Sequence, residues 1–567
     1  MKGAIEPLAS TQYAVELTGA DELRLNRDKP VCPPGPYGIL ARVEAVGICF
    51  SDLKLVRQFS SHPRKSAVVS GLPAEVLDEI ASYVPGDKPT VPGHEAVCRI
   101  VAVGKKVSHH KVGERILVQT DYRALRTAKS NAAFGYNFEG ALQQYVLMDE
   151  RVVTGAATGE SFLIPVGEDL SASAVCLVEP WACVEDSYAN EERRGPRAGG
   201  RMLVVADAGH EVKGLAEALT LGRPVRVTGV PGREDEREAL RALGVPADFA
   251  QDATAVPDEG FDDIIYFGAR RATVEALDAK LAPRGIMNIV AGGGRFGEPV
   301  SVGIGRVHYG MTRWTGTLGA NAAEPYALIP ESGEIRSGEK ILVVGAGGPM
   351  GQMHVIRSVA SGISGITITA SDVDDGRLEA LAAKVQRLAA LRGVAVRFVN
   401  PGREAAAEAT YVALMAPSAA LVAEAIRSGG ERCLVNVFAG IPAETRERID
   451  LDGYIEKNIY MFGTSGSLVR DMKAVLAKVA RGRLDTNISV EAISGMAGAI
   501  DGMRAVEKRQ YSGKIVVYPS LREMGLLPLS RIREVFPSVA DRLSDGGWTK
   551  AAEDELLKVA GGSQSRR

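Results

Sequence analysis

The stretch that most constrains this chain is Lys340 to Arg377, KILVVGAGGPMGQMHVIRSVASGISGITITASDVDDGR. An apolar β run, Ile341 to Val344, is followed by glycines at 345, 347, 348 and 351, a helix-length segment, and a second β run that ends on Asp372. Glycines let a backbone turn sharply and approach a pyrophosphate, and the helix that follows offers free N–H groups at its positive dipole end. An acid at the tip of the second strand can bind both ribose hydroxyls, which favours NAD over NADP. The spacing G-x-x-G-x-x-G is a variant of the commoner G-x-G-x-x-G. The same glycines also fit a tight turn in a flavodoxin-like sheet without a dinucleotide, but the flanking strands and terminal acid favour the nucleotide. The expected cofactor set is Gly345, Gly347, Gly348, Pro349, Met350, Gly351, Asp372 and Arg377.

The pattern occurs in tandem. Met202 to Gly214 (MLVVADAGHEVKG) lies over Ile341 to Met353 (ILVVGAGGPMGQM), Asn288 to Gly292 over Asn436 to Gly440, and Gly316 to Gly319 over Gly463 to Gly466. Two α/β modules follow one another, at 199–330 and 337–464. The first has Ala206 and Val212 where the second has Gly345 and Gly351, and its second strand runs into Thr228-Gly229 with no acid. It is therefore expected not to bind a dinucleotide and to serve as interface or scaffold.

Residues 1–190 are β-rich, with short runs at 41–46, 96–103, 115–119 and 141–148 that suggest an antiparallel, barrel-like domain. A helical pattern occupies 171–190, GPRAGG (195–200) reads as a linker, and 468–480 and 496–508 read as helices before a strand at 514–518. The tail from 520 has helical periodicity at 529–536 and 548–560, expected to dock or to make an oligomer contact, and ends in polar SQSRR.

Bulk properties exclude several classes. A net charge of −3 gives no reason to expect nucleic acid or an anionic membrane as partner. Met1 to Ala20 carries Glu6 and Glu16 and no signal-like apolar core, and no run reaches the roughly 18 apolar residues of a membrane span. A cytoplasmic protein is expected. Six cysteines at 32, 49, 98, 176, 183 and 433 form no CxxC pair, so none suggests a disulfide framework.

Three short segments hold metal-type side chains. Gly47 to Asp52 (GICFSD) presents a thiol beside a hydroxyl, Pro92 to Glu95 (PGHE) an imidazole beside a carboxylate, and Val178 to Pro180 another carboxylate at a helix start. One Cys, one His and one or two Glu, plus water, make a four-coordinate site with an exchangeable position. From spacing alone, a buried Cys and a satisfied His fit as well.

The order GICFSD, PGHE, AVGKKVSHHKVGERI, GALQQYV and EPWAC, then a glycine-turn module, resembles the zinc-dependent medium-chain alcohol and polyol dehydrogenases. The resemblance covers Met1 to about Pro519 apart from the extra module. It implies α/β plus β architecture: a GroES-like catalytic domain at 1–190, completed by about 465–519 through YSGKIVVYP, and Rossmann-type doubly wound modules, one binding NAD. It implies one zinc held by Cys49 and His94, with Glu95 and Glu179 as ligands that exchange with water, and Asp52 orienting His94. The implied mechanism acidifies a zinc-bound hydroxyl, passes its proton through Ser51, and moves hydride between substrate and nicotinamide.

The chain also departs from that family. Gln119 to Glu139 lacks the four cysteines of a structural zinc, and the position three beyond Ser51, often a relay histidine, is Lys54, which reads either as a proton relay or as an outward-facing lysine. The interval between Cys49 and His94 is long, carrying the basic SSHPRK (60–65) and a helix-like 73–83. This insertion reads as a lid whose basic cluster holds a substrate phosphate, or as a solvated charge run. The expected enzyme is a zinc- and NAD-dependent oxidoreductase of polyols, sugars or sugar phosphates, and a homo-oligomer. The rival reading is an epimerase, lyase or glycoside-cleaving enzyme that retains NAD for transient oxidation.

Overall fold

The computed structural model describes residues 9–155, 158–230 and 233–562, so the SQSRR tail and the first residues of the Met1 to Ala20 segment lie outside the described residues. The chain forms two compact units, Met1–Cys183 with Gly466–Arg567, and Val184–Ser465.

In the first unit, strand Gly38–Ile48 is the hub. Its residues are almost all buried, and it pairs antiparallel with Glu95–Val103, Tyr145–Asp149 and Lys514–Val517. Apolar residues on such a strand pack on both sides, and one core gathers Val15, Ile39, Ile48, Leu53, Phe138, Met503 and Val517. The chain thus returns to this sheet late, with Val516 opposite Gly47. The sheet is antiparallel except where Val490–Ser494 pairs parallel with Lys514–Val517. The C-terminal helix Lys550–Gly562 docks within the same unit: Glu553 accepts from the Ala172 and Ser173 N–H groups at 2.6 and 2.8 Å and from the Tyr518 hydroxyl at 2.9 Å.

Two expected elements shrink. The run 141–148 becomes strand Tyr145–Asp149, because Ala141 and Leu142 donate to the carbonyls of Gly93 and Pro92 instead of to a strand. The 73–83 segment is helical only over Ala74–Asp78; after that, bonds from Ile80 to Leu77 and from Tyr83 to Ile80 tighten the chain into turns ahead of Pro85.

The second unit holds two six-stranded, all-parallel sheets of the same order. One runs Ala247–Phe249, Arg226–Val230, Arg201–Ala206, Phe261–Phe267, Leu281–Val290, Arg313–Thr317; the other runs Ala395–Val399, Thr367–Ser371, Lys340–Val344, Ala409–Leu414, Gly429–Val437, Tyr460–Phe462. This is the doubly wound order that binds ligands at the carboxyl ends of its strands. The modules share a single core, with Ile289, Val302 and Trp314 of the first and Val437, Ile449 and Ile455 of the second. Strands Val300–Val302 and Glu447–Ile449 pair antiparallel across the junction, and the Tyr454 hydroxyl donates to the Trp314 carbonyl at 2.8 Å. Among the described residues no helix is long and apolar enough to cross a membrane.

Candidate metal centre and nucleotide turn

Cys49 lies where the hub strand ends and helix Phe50–Gln58 begins, at the helix N-cap. The backbone N–H of Cys49 donates to Asp52 Oδ2 at 2.9 Å, half of a capping box that ties the thiol to the first turn. His94 sits in the loop before strand Glu95–Val103, behind Gly93, whose φ of +95° suits glycine. His94 Nδ1 lies 2.8 Å from Asp52 Oδ1, and the buried Asp52 carboxylate can only accept, so Nδ1 carries the proton and Nε2 is left for a metal. Burial alone would favour neutral Asp52, but in the metal-free chain, where Nε2 can also take a proton, the His94 charge and hydrogen bond hold the Asp52 carboxyl below the usual range.

Ligand atoms of Cys49, His94 and Glu95 all lie within 4.8 Å of one another. Glu95 is fully buried; its Oε1 accepts from Lys514 Nζ at 2.5 Å, while Oε2 is buried with no hydrogen-bond partner. A thiol, an imidazole nitrogen and a carboxylate oxygen converging in this way, with one oxygen of that carboxylate left without a hydrogen bond, fit the N/S/O donor set of zinc. Gly47 makes room for it: a Cβ there would stand 2.1 Å from Glu95 Oε2. Neither Lys514 nor the role of Gly47 was apparent from the sequence; the glycine of GIC was the available signal.

Glu179, in the first turn of helix Val178–Ala189, lies outside this trio. It is 8% exposed, and burial with Glu95 against it pushes its carboxyl up to about 7, although His94, Lys514 and Arg64 pull the other way. The Cys183 thiol donates to its Oε1 at 3.8 Å. Ser51 is half-buried on the first turn after Cys49, whereas Lys54 is exposed, with no hydrogen bond to Cys49, His94 or Glu95.

The basic insertion is not a solvated charge run. Lys65 is completely buried and donates to the Val84 carbonyl and, at 2.8 Å, to the Lys88 carbonyl, and burial pushes its ammonium down to about 8. The Pro63 carbonyl accepts from Thr127 Oγ1 at 3.0 Å and the Ser66 carbonyl from Asn137 Nδ2 at 3.0 Å, so the turn Pro63–Lys65 is pinned on both flanks.

In the second unit, Lys340–Val344 leads through Gly345 and Gly348 into helix Pro349–Ala360, with Gly348 as N-cap and Pro349 at its first position. The glycines answer different demands. Gly345 has φ +80°, and a Cβ on Gly351 would lie 2.2 Å from the Gly345 carbonyl oxygen, so both serve the turn itself. Gly348 has an ordinary φ of −78°, and the nearest protein atom to its Cβ would be 3.8 Å away. Packing does not require glycine there, which leaves the helix N-terminus open to a group approaching from outside. Asp372, just past strand Thr367–Ser371, accepts from the Gly347 N–H at 2.9 Å, and a Cβ on Gly347 would stand 2.6 Å from that of Arg377. Met350 sits in the first helical turn.

The first module differs as its residues suggest, and further. Its helix Leu215–Leu221 begins five positions later than the overlay would start it, at His210, so the one-to-one alignment holds for the strand and fails for the turn. Asp207, which accepts from the Tyr266 hydroxyl, and His210, close against Gly292, fill the longer loop.

Residues 35–157 match the alcohol dehydrogenase GroES-like domain family. L-sorbose 1-phosphate reductase of Klebsiella pneumoniae is 25% identical over 364 residues, covering 56% of this chain and 78% of that protein. Sorbitol dehydrogenase of Bombyx mori is 35% identical over 107 residues, 19% of this chain and 25% of that protein. Among solved structures, 2R,3R-butanediol dehydrogenase of Bacillus subtilis shares the fold with a TM-score of 0.52 at 15% identity, covering 90% of this chain and all of that one.

Proposed function

We propose that this dehydrogenase, a member of the zinc-type medium-chain alcohol and polyol dehydrogenase family, transfers hydride between NAD and a secondary alcohol or ketone of a polyol, sugar or sugar phosphate. The observation that carries the reading is the convergence of one ligand atom each from Cys49, His94 and Glu95 within 4.8 Å, beside a Glu95 oxygen buried without a hydrogen-bond partner. Bound there, zinc would supply a Lewis acid for the alcohol or carbonyl oxygen, and NAD at the Gly345–Gly351 turn would supply the hydride acceptor or donor.

The chain's own residues account for the rest. Asp52 fixes the His94 tautomer, and Lys514 holds one Glu95 oxygen while leaving the other free. Glu179, with its carboxyl near 7, holds or releases a proton around neutral pH, which suits an acid–base partner in a reaction that frees or takes up one. Ser51, two residues after Cys49, is the hydroxyl nearest to it in the chain for carrying the alcohol proton outward; exposed Lys54 would act only at the solvent end of such a path. Names of relatives acting on a sugar phosphate and on sorbitol support the polyol class.

The test is to denature purified wild type and Cys49→Ala and to quantify released zinc and nicotinamide dinucleotide by mass spectrometry. About one zinc per wild-type chain, lost in the variant together with NAD-linked oxidation of polyols, is expected. Full zinc and full turnover in Cys49→Ala would overturn the metal assignment, and near-stoichiometric retained NAD would overturn the simple exchange of cofactor.

A further inference from the structure

Arg64 is a guanidinium with work left to do. Its side chain is 24% exposed, and its nearest acid, Asp121, stands 3.7 Å away, beyond hydrogen-bond range. Among the described residues none of its five side-chain N–H donors has a hydrogen-bond partner. Asp121 is already committed: its Oδ2 accepts from Arg123 Nε at 2.9 Å and its Oδ1 from Asn131 Nδ2 at 2.9 Å. Two guanidiniums on a half-buried wall therefore share one carboxylate at close range, and Glu179, which also acts on Arg64, has its carboxyl raised to about 7 and offsets that charge only in part.

That wall adjoins the metal trio. The buried Tyr136 ring lies 5.8 Å from Arg64 Cζ on one side and 5.8 Å from the His94 ring on the other. His62, 5.1 Å from the same ring, accepts the Arg64 backbone N–H on its Nδ1 at 3.2 Å, so its own proton sits on Nε2 as a second donor. Burial, with Arg64 and Lys54 nearby, pushes His62 down to about 4, so that donor is neutral at physiological pH. The buried anchor of Lys65 holds the pair in place.

We propose that Arg64, with His62 beside it, is the phosphate subsite of this enzyme, and that its substrates are phosphate monoesters of polyols or ketoses. The assignment rests on the polyol dehydrogenase reading above and narrows it. A phosphate dianion matches the planar fork of an arginine through two parallel charge-assisted bonds, and uncharged hydroxyls do not. An arginine kept without hydrogen bonds on a wall shared with the metal ligands makes sense when an anion completes it.

The test is calorimetric and uses the zinc-loaded full-length protein. D-glucitol 6-phosphate and, separately, D-glucitol are titrated into wild type, Arg64→Ala and Arg64→Lys. Wild type should bind the monophosphate about 100-fold more tightly than the parent hexitol, Arg64→Ala should bring that ratio to within about threefold of unity, and Arg64→Lys should fall between. Equal wild-type affinities, or an unchanged ratio in Arg64→Ala, would overturn the subsite. If Arg64→Ala does not fold, Arg64→Lys decides alone, since it must lower the ratio. Failure of the dehydrogenase reading looks different: the monophosphate would bind through Arg64 while no NADH forms with any polyol, which leaves the subsite standing and removes the redox assignment.

Discussion

Lys514 donates to Oε1 of Glu95 at 2.5 Å from 419 positions away in the chain, and the second oxygen of that carboxylate is buried with no partner. The ammonium balances the carboxylate charge while occupying only one of its two oxygens. Replacing Lys514 with Met strands a buried carboxylate, which costs about 3 kcal/mol when nothing else neutralises it. A bound cation would neutralise it. The loss should therefore appear in full in protein unfolded with a chelator present and be smaller with zinc present; thermal unfolding under both conditions measures the gap, and equal losses would contradict the ligand role of Glu95.

Asp52 acts on His94 from behind. Asp52→Asn keeps the shape but replaces one accepting oxygen with a donor, so the imidazole loses its fixed tautomer. Zinc affinity, measured by competition with a chromophoric chelator, should fall roughly 10- to 100-fold while the helix Phe50–Gln58 persists. Unchanged affinity would show that the pairing is structural only.

The pH dependence follows from Glu179. Its folded value of about 7 lies above the ordinary 4.5, so between those values the folded, metal-free chain binds more protons than the unfolded chain. Stability contributed by the neutral acid is complete below 4.5 and is lost as pH rises through 7. Glu179→Gln stays neutral throughout and should gain on wild type as pH rises, by about 3 kcal/mol at its fullest. Parallel stability curves for the two proteins would refute the shift.

Nucleotide binding should separate the modules. Gly348→Trp places an indole where the helix N-terminus is open, and should abolish NADH binding followed by fluorescence. Gly209→Trp, in the turn whose place Asp207 and His210 take, should leave it intact. The reverse result would put the nucleotide in the first module.

What the sequence disclosed was local in chain position. The glycine turn, the GICFSD and PGHE segments and the duplicated strand pattern each lie within a few residues, so hydrophobic period and residue type expose them. Long-range partners left no such trace: Lys514 reads as an ordinary strand residue until the sheet brings Val516 opposite Gly47. The basic insertion was ambiguous for the same reason, since the carbonyls that bury Lys65 belong to residues 84 and 88 and the groups around Arg64 to residues 121 and 136. The late start of helix Leu215–Leu221 was hidden because an overlay of matching strands says nothing about the length of the loop between them.

The two parallel sheets meet within one polypeptide through Val300–Val302 against Glu447–Ile449 and through the Tyr454 bond to Trp314. Where identical subunits meet about a two-fold axis, every substitution appears on both sides at once and must suit both. Here a change at Trp314 need suit only one neighbour, and a change at Tyr454 only the other. Covalent linkage thus frees the halves to specialise: one keeps a tight glycine turn, and the other fills the equivalent corner with a tyrosine–aspartate pair while still supplying half of the common core.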